Sequence, residues 1–121
     1  MSGRFACVRS VAAEGLVALL LSGELDIETV PVFEAEIERV LADAPATVVL
    51  DLPGLEFLDS TGLRAILEAH ERLREQGAQL VLTHGRPSVQ LTFGITGLDT
   101  HLNFIDNLAQ LTGKEPGKNT E

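Results

Sequence analysis

The sequence is poor in cysteine and in basic residues. Its 121 residues include one cysteine, Cys7, which excludes an internal disulfide and leaves too few thiols for a zinc cluster. Nine lysines and arginines stand against eighteen aspartates and glutamates, for a formal net charge of -9. Because a nucleic-acid-binding surface needs clustered basic side chains, this balance argues against nucleic acid as a partner.

Long apolar stretches are also absent. The longest apolar run, residues 16–21, is far shorter than the about 20 residues that cross a bilayer, and no direct membrane contact is expected. The first residues carry no apolar segment followed by a small-residue cleavage site, as a signal peptide would. A chain of this length and composition predicts one acidic, soluble domain in the cytoplasm.

The hydrophobic pattern alternates between strands and helices. Continuous apolar runs predict strands covered on both faces, and a turn at residues 13–15 joins the first two strands in an antiparallel hairpin. Strands are predicted at residues 5–12, 16–21, 47–52, 79–83 and, as a short edge strand, 103–105. Pro53 and Gly54 are expected to end the third strand, so that residues 53–58 form a loop.

Segments with helical spacing separate these strands. Thr29 is a plausible N-cap of the first helix, Asp59 opens the second, Pro87 opens a short third, and a last helical turn contains Leu108. This order predicts an α/β domain with a mixed sheet of four to five strands, covered by about four helices. The domain is expected over residues 5–112, with a flexible N-terminus at 1–4 and a disordered tail at 113–121.

The start of the second helix carries the most informative motif, Asp59-Ser60-Thr61-Gly62. Asp59 is a good N-cap, since its carboxylate accepts N–H bonds from the first turn. A phosphate on Ser60 would lie in the positive field of the helix N-terminus and beside Glu56, where its charge repels an acidic partner surface. Gly62 leaves no side chain over the backbone, so that another surface can approach closely. By itself, such a motif is more often only a helix cap.

Signatures of common enzymes are missing. The chain has no H-E-x-x-H sequence, Walker A loop or G-x-G-x-x-G loop, and Ser60 does not lie in a G-x-S-x-G elbow. A hydrolase or acyltransferase that used Ser60 would need a histidine beside it, and His70 is about 15 Å away along the same helix. The enzyme hypothesis therefore requires that the fold bring His84 or His101 to Ser60, and the sequence leaves this open.

Three stretches of the chain match known motifs in order. The first ends in G-E-L-D at residues 23–26, the second joins V-L-D-L at 49–52 to F-L-D-S-T-G-L at 57–63, and the third runs over residues 77–98. Together they resemble the STAS family, the domain of anti-sigma factor antagonists. The match covers roughly residues 5–111 and is specific at the level of the family. It implies a mixed sheet packed with helices, as the hydrophobic pattern does.

The resemblance implies a protein-interaction module that is switched by phosphorylation and is not an enzyme. Ser60 would be the phosphorylated residue, with Thr61 as second choice. The residues implied in partner binding are Asp26, Glu56, Asp59, Ser60, Thr61 and Gly62, and the loop at residues 53–58 would line the same surface.

The implied partner is an anti-sigma factor that is also a serine kinase of the GHKL ATPase type. The unphosphorylated antagonist would bind this kinase and free a sigma factor, and phosphorylation of Ser60 would release the kinase. A serine phosphatase would then restore Ser60. The kinase would supply the nucleotide and magnesium, so this chain is expected to need no cofactor or metal.

The chain departs from the family pattern at two places. Many antagonists have a second serine where this chain has Thr61, and the third helix has Leu91-Thr92-Phe93 where a basic residue followed by Leu-Phe is expected. The alternative within the family is a lone STAS subunit of another assembly, either a stressosome or an Mla-type lipid-transport complex. A stressosome scaffold should carry an extra sensor domain, and the lipid-transport subunit often lacks an intact D-S-[ST]-G. Both points favour the antagonist.

Overall fold

A computed structural model describes residues 4–112, and the predictions for residues 1–3 and 113–121 lie outside these described residues. The strands are β1 Phe5–Ala13, β2 Leu16–Leu25, β3 Thr47–Leu58, β4 Gln79–Thr83 and β5 Asn103–Ile105. The helices are α1 Val30–Asp43, α2 Ser60–Glu75, α3 Pro87–Ile95 and α4 Ala109–Thr112, with a 3-10 turn at Leu98–Thr100. No helix within residues 4–112 is long and apolar enough to cross a membrane.

The five strands form one mixed sheet in the order β1-β2-β3-β4-β5. β1 and β2 pair antiparallel, as the predicted hairpin, whereas β2, β3, β4 and β5 are parallel to one another. Parallel neighbours need crossover connections, and α1, α2 and α3 supply them. The α/β class, the strand count and the hairpin are confirmed. β2, β3 and β4 consequently end at the same edge of the sheet, where their loops to the helices begin.

One large hydrophobic core lies between the sheet and the helices α1, α2 and α3. Phe33 of α1, Ile66 of α2 and Phe93 of α3 are fully buried, together with strand residues such as Leu19 and Leu50. Burial of side chains of this size stabilises the fold by about 1.5–3 kcal/mol each. This layer therefore fixes where each helix begins relative to the sheet edge.

The helices α1, α2 and α3 pack on one face of the sheet, and the opposite face has a smaller buried cluster with exposed positions beyond it, so the prediction of strands covered on both faces is wrong in part. Among the described residues, the buried side chains of that face form a small cluster of Leu16, Ala18, Val49 and Val81. Leu20, predicted to lie inside a fully covered strand, is 42% exposed. The physical reason is that a continuous apolar run in the sequence does not show whether the side chains on its second face are covered by a helix or exposed to solvent.

β3 does not end at Pro53, and the predicted loop at residues 53–58 is wrong. The strand continues through Pro53 and Gly54 to Leu58, and its register with β2 shifts twice in this stretch. Such bulges let one strand carry extra residues while it remains paired. The pairing of β4 with β3 extends as far as Leu50, so the backbone ladder on that edge of β3 has ended before Pro53, where proline is tolerated.

Substitution of a buried residue of α1 tests this packing. Phe33→Ala should lower the free energy of unfolding by about 3–5 kcal/mol, because it leaves a cavity at a fully buried position. Val32→Ala, at a 52% exposed position of the same helix, should change it by less than about 0.5 kcal/mol. Denaturant unfolding followed by circular dichroism measures both, and equal losses would contradict this orientation of α1.

Cys7 is half-buried against the core and makes alkaline stability depend on its proton. Burial, and secondarily the charge of Glu36, raises the pKa of the Cys7 thiol to about 12. Because this pKa lies above the ordinary thiol value of 9.0, the stabilisation is complete below about pH 9 and is lost as the pH rises toward 12. Denaturant unfolding at neutral and alkaline pH should show a smaller alkaline loss for Cys7→Ala, and parallel losses would contradict the assignment.

Candidate functional site

The candidate site lies where β2 and β3 end and α2 begins. Leu25 at the end of β2 is paired with Leu58 at the end of β3, so the residues that follow them share one edge of the sheet. The amide of Asp59 donates to the carbonyl of Leu25, with a nitrogen-to-oxygen distance of 3.4 Å. The motifs at residues 23–26 and 57–63 are therefore side by side.

Asp59 caps α2, as its place in the sequence predicts. Its backbone is extended, with φ -105° and ψ -174°, and its Oδ1 accepts a hydrogen bond of 2.9 Å from the Gly62 amide. Its carbonyl accepts a second hydrogen bond of 2.9 Å from the Leu63 amide. A side-chain cap of this kind is worth about 1 kcal/mol. It holds Ser60 as the first residue of the helix.

Ser60 is exposed at this helix start, and its neighbours are acidic. Glu56 on β3 is exposed as well, whereas Asp59 and Thr61 are half-buried. Within residues 4–112 no group of three or more histidine, cysteine, aspartate or glutamate side chains is placed to hold a metal ion. The arrangement offers an accessible hydroxyl at the positive end of a 16-residue helix.

The structure does not bring a histidine to Ser60 within the described part of the chain. The ring of His84 stacks on Phe104 with a centroid distance of 5.2 Å, and its Nδ1 lies 3.7 Å from Oδ1 of Asp106. Nδ1 of His101 contacts a carbonyl of the preceding turn at 3.3 Å. Since a nucleophilic serine needs an adjacent base, the geometry does not favour the hydrolase hypothesis.

Gly62 is buried, and the surface that approaches it belongs to the same chain. A Cβ at this position would lie 2.5 Å from the carbonyl oxygen of Leu25 and 2.9 Å from Cδ1 of Leu58. The missing side chain therefore permits α2 to lie against the end of β2. The surface that approaches Gly62 closely is therefore the end of β2, and partner contact at Gly62 stays a prediction.

Asp26, which the resemblance places in partner binding, is engaged in its own loop. Its Oδ1 accepts hydrogen bonds from the amides of Glu28 at 3.0 Å and Thr29 at 3.2 Å, which shape the turn into α1. Its Oδ2 lies 3.8 Å from Nη2 of Arg4. A cation of a partner at Asp26 would therefore compete with Arg4, and partner contact at this residue stays a prediction.

Thr29 occupies the predicted N-cap position of α1, but its side chain does not cap that helix. Its hydroxyl donates to the carbonyl of Glu24 at 2.7 Å and accepts from the amide of Asp26 at 2.9 Å. The hydroxyl thus ties the end of β2 to the loop beside the site.

Exposed apolar side chains near this edge were not assigned from the sequence. Ile27 in the loop after β2 and Phe57 near the end of β3 are both exposed. α3 runs beside the second half of β3, and its Thr92 hydroxyl donates a hydrogen bond of 3.3 Å to the carbonyl of Leu58, the last residue of β3. Leu91 and Ile95 on α3 are exposed too. The sequence signal for this face is that α3 contains no charged residue.

Comparisons with known proteins agree with this architecture. The STAS domain model matches residues 8–111 of the chain. The anti-sigma-F factor antagonist RsfB of Mycobacterium tuberculosis is 30% identical over 105 residues, which cover 86% of this chain and 85% of the relative. The chain therefore belongs to the STAS domain family, and the resemblance inferred from its motifs is confirmed.

Solved structures show the same fold. The crystal structure of an anti-sigma factor antagonist from Mycobacterium paratuberculosis has a TM-score of 0.81 at 29% identity, over 93% of this chain and 96% of that one. SpoIIAA in its unphosphorylated form, also an anti-sigma factor antagonist, has a TM-score of 0.75 at 23% identity, over 92% of this chain and 100% of that one. The second likeness concerns the fold alone.

Two glycine substitutions test how α2 is placed. Gly62→Ala should lower the free energy of unfolding by about 1–3 kcal/mol, because the new Cβ overlaps the Leu25 carbonyl. Gly94→Ala is the matched control, since the nearest atom to a Cβ there is Oδ2 of Asp99 at 3.7 Å. It should leave stability unchanged or raise it by up to about 1 kcal/mol. Thermal or denaturant unfolding distinguishes the two, and a Gly62→Ala protein as stable as the wild type would refute the contact.

Proposed function

We propose that this chain is an anti-sigma factor antagonist whose binding is switched by phosphorylation of Ser60. RsfB is, by its name, an antagonist of an anti-sigma-F factor, and the similarity extends over most of both chains. The observation that carries the proposal is the exposed Ser60 hydroxyl at the first position of a capped helix. Thr61 is the second choice, because it is half-buried.

The switch is a local change of charge and size on a rigid helix start. A phosphate adds a charge of about -1.5 to -2, and the helix N-terminus, with roughly +0.5, tolerates it in the folded chain. A partner packed on the bare hydroxyl would have to accommodate three phosphate oxygens and remove their water, which is costly in an interface. Acidic groups of the partner would be repelled as well, so the phosphorylated chain is released.

The proposed kinase is the partner itself, an anti-sigma factor of the GHKL ATPase type. Oγ of Ser60 attacks the γ-phosphorus of ATP, the bond from that phosphorus to the bridging oxygen breaks, and ADP leaves. The hydroxyl proton passes to a base of the kinase. A serine phosphatase reverses the change by hydrolysis and releases inorganic phosphate. This chain contributes only the positioned hydroxyl, so it acts as substrate and ligand and not as the enzyme.

The surface around Ser60 suits a protein partner. Ile27 and Phe57 are exposed at the same sheet edge, and clustered apolar exposure is typical of protein interaction sites. The carboxylates of Asp26 and Glu56 add negative charge at this edge, and so does Asp59, whose carboxylate also caps α2. We assign these residues to the partner contact, and a cytoplasmic location follows from a partner that controls a sigma factor.

The alternative within the family is a lone STAS subunit of a stressosome or of an Mla-type lipid-transport complex. In that role Asp59 and Ser60 would be no more than a helix start. The intact D-S-T-G sequence and a relative named as an antagonist favour the proposed function.

Substitutions at Ser60 test the switch. Ser60→Ala should abolish phosphorylation and keep the fold, because the residue is exposed. Ser60→Asp should weaken binding by about tenfold or more, as expected when a charge is added inside an interface. The measurement is the dissociation constant, by calorimetry, for each purified GHKL-type ATPase encoded in the source genome, with the phosphate mapped by mass spectrometry.

Two matched variants control this experiment. Ser10→Asp adds the same charge at an exposed position of β1 toward the hairpin end of the sheet, and it should bind as the wild type does. Thr61→Val should leave phosphorylation intact. A phosphate on Thr61, or equal dissociation constants for wild type and Ser60→Asp, would refute the switch. Binding to stressosome or lipid-transport subunits in place of a GHKL-type ATPase would favour the alternative.

A further inference from the structure

Arg64 differs from the other arginines of the described chain. Its side chain is exposed, and no residue among 4–112 makes a hydrogen bond or ion pair with it. Every other described arginine has at least one such partner, namely Arg4, Arg9, Arg39, Arg72, Arg74 and Arg86. The unpaired guanidinium belongs to α2 and follows Ser60 by four residues.

Helix geometry brings the positions of Ser60 and Arg64 together. Residues four apart on an α-helix share a face, with their Cβ atoms about 5–6 Å apart. An acid at the first position and a base four residues later is the favourable order, in agreement with the helix dipole. A guanidinium also binds phosphate oxygens through two parallel N–H bonds. Arg64 is therefore within reach of a phosphate on Ser60.

We propose that Arg64 binds the phosphate of phosphorylated Ser60 within the same helix and holds it as a dianion. The inference rests on the proposed phosphorylation of Ser60. A phosphoserine loses its second proton with a pKa of about 6, so near neutral pH an unassisted phosphate is a mixture of charge states. Pairing with Arg64 favours the doubly charged form. Phosphorylation then delivers its full charge and also withdraws a cation from the surface that the partner meets.

The other charged groups around the phosphate are mostly acidic. Glu56 from β3, the cap Asp59 and, in the neighbouring loop, Asp26 disfavour the dianion, and α3 contributes no charge. Glu68 lies one turn beyond Arg64 on α2, where it would compete with the phosphate for the guanidinium, although it makes no ion pair with Arg64 in the structure. The helix N-terminus acts in the same direction as Arg64, and so does Arg4, whose charge is shared with Glu24, Asp26 and Glu28. Removal of Arg64 should therefore raise the second pKa of the phosphate.

The test uses the full chain with phosphoserine placed at position 60 by nonsense suppression, so that no kinase is needed. A ³¹P NMR titration around pH 6 gives the second pKa of the phosphate. Arg64→Gln removes the charge and keeps a good helix former, and it should raise this pKa by roughly 0.3 to 0.7 pH units. At about 1 M salt, where the screening length is about 3 Å, the difference should disappear.

Arg72→Gln is the matched control on the same helix. Arg72 lies about 18 Å from Ser60 along α2 and pairs with Glu38, so this substitution should leave the phosphate pKa unchanged. The ¹⁵Nε signal of Arg64 should also shift when Ser60 carries phosphate. Equal pKa values for the wild type and Arg64→Gln at low salt, or an equal change in Arg72→Gln, would overturn the inference. Failure of every GHKL-type ATPase to phosphorylate Ser60 would instead overturn the proposed function.

Discussion

The close contact between the end of β2 and the first turn of α2 is the constraint on which the candidate site depends. A Cβ on residue 62 would lie 2.5 Å from the carbonyl oxygen of Leu25, so any residue other than glycine would force α2 and the end of β2 apart. The same carbonyl accepts a hydrogen bond from the amide of Asp59, and the carboxylate of Asp59 caps the helix. Ser60 is thus held outward by contacts that its own side chain does not make.

The helices pack on one face of the sheet, and the candidate site lies at the sheet edge where the strands end. The large core under α1, α2 and α3 fixes the helix axes, while the loops after β2 and β3 meet at the sheet edge. The residues of that edge serve the fold first. Asp26 and Thr29 shape the turn into α1, and Asp59 caps α2. Ser60 makes no comparable structural contribution, which leaves it available for modification.

A rigid helix start suits a switch that a partner reads. The proposed switch needs no rearrangement of the chain, because the change would lie in the charge and size of one side chain. This differs from a catalytic serine, for which an adjacent base lowers the barrier to attack. His84 and His101 make their contacts away from Ser60, and the accessible apolar side chains of the edge favour protein contact. Membership of the STAS family agrees with this division between scaffold and switch.

Local patterns in the sequence determined much of this architecture. Apolar runs and helical spacing predicted the order of elements, a short turn predicted the hairpin, and Asp59 predicted the start of α2, because each depends on residues close in sequence. The family motifs likewise pointed to Ser60.

Only the tertiary structure decided the rest, since it depends on residues far apart in the chain. β3 passes through Pro53 because pairing with β2 continues there, and Leu20 is exposed although Ala18 on the same face of β2 is buried. Gly62 meets the carbonyl of Leu25, which precedes it by many residues, so its role as a contact inside the chain is invisible in the motif. The motif specifies which residues stand at the site, and long-range packing specifies which of them face inward.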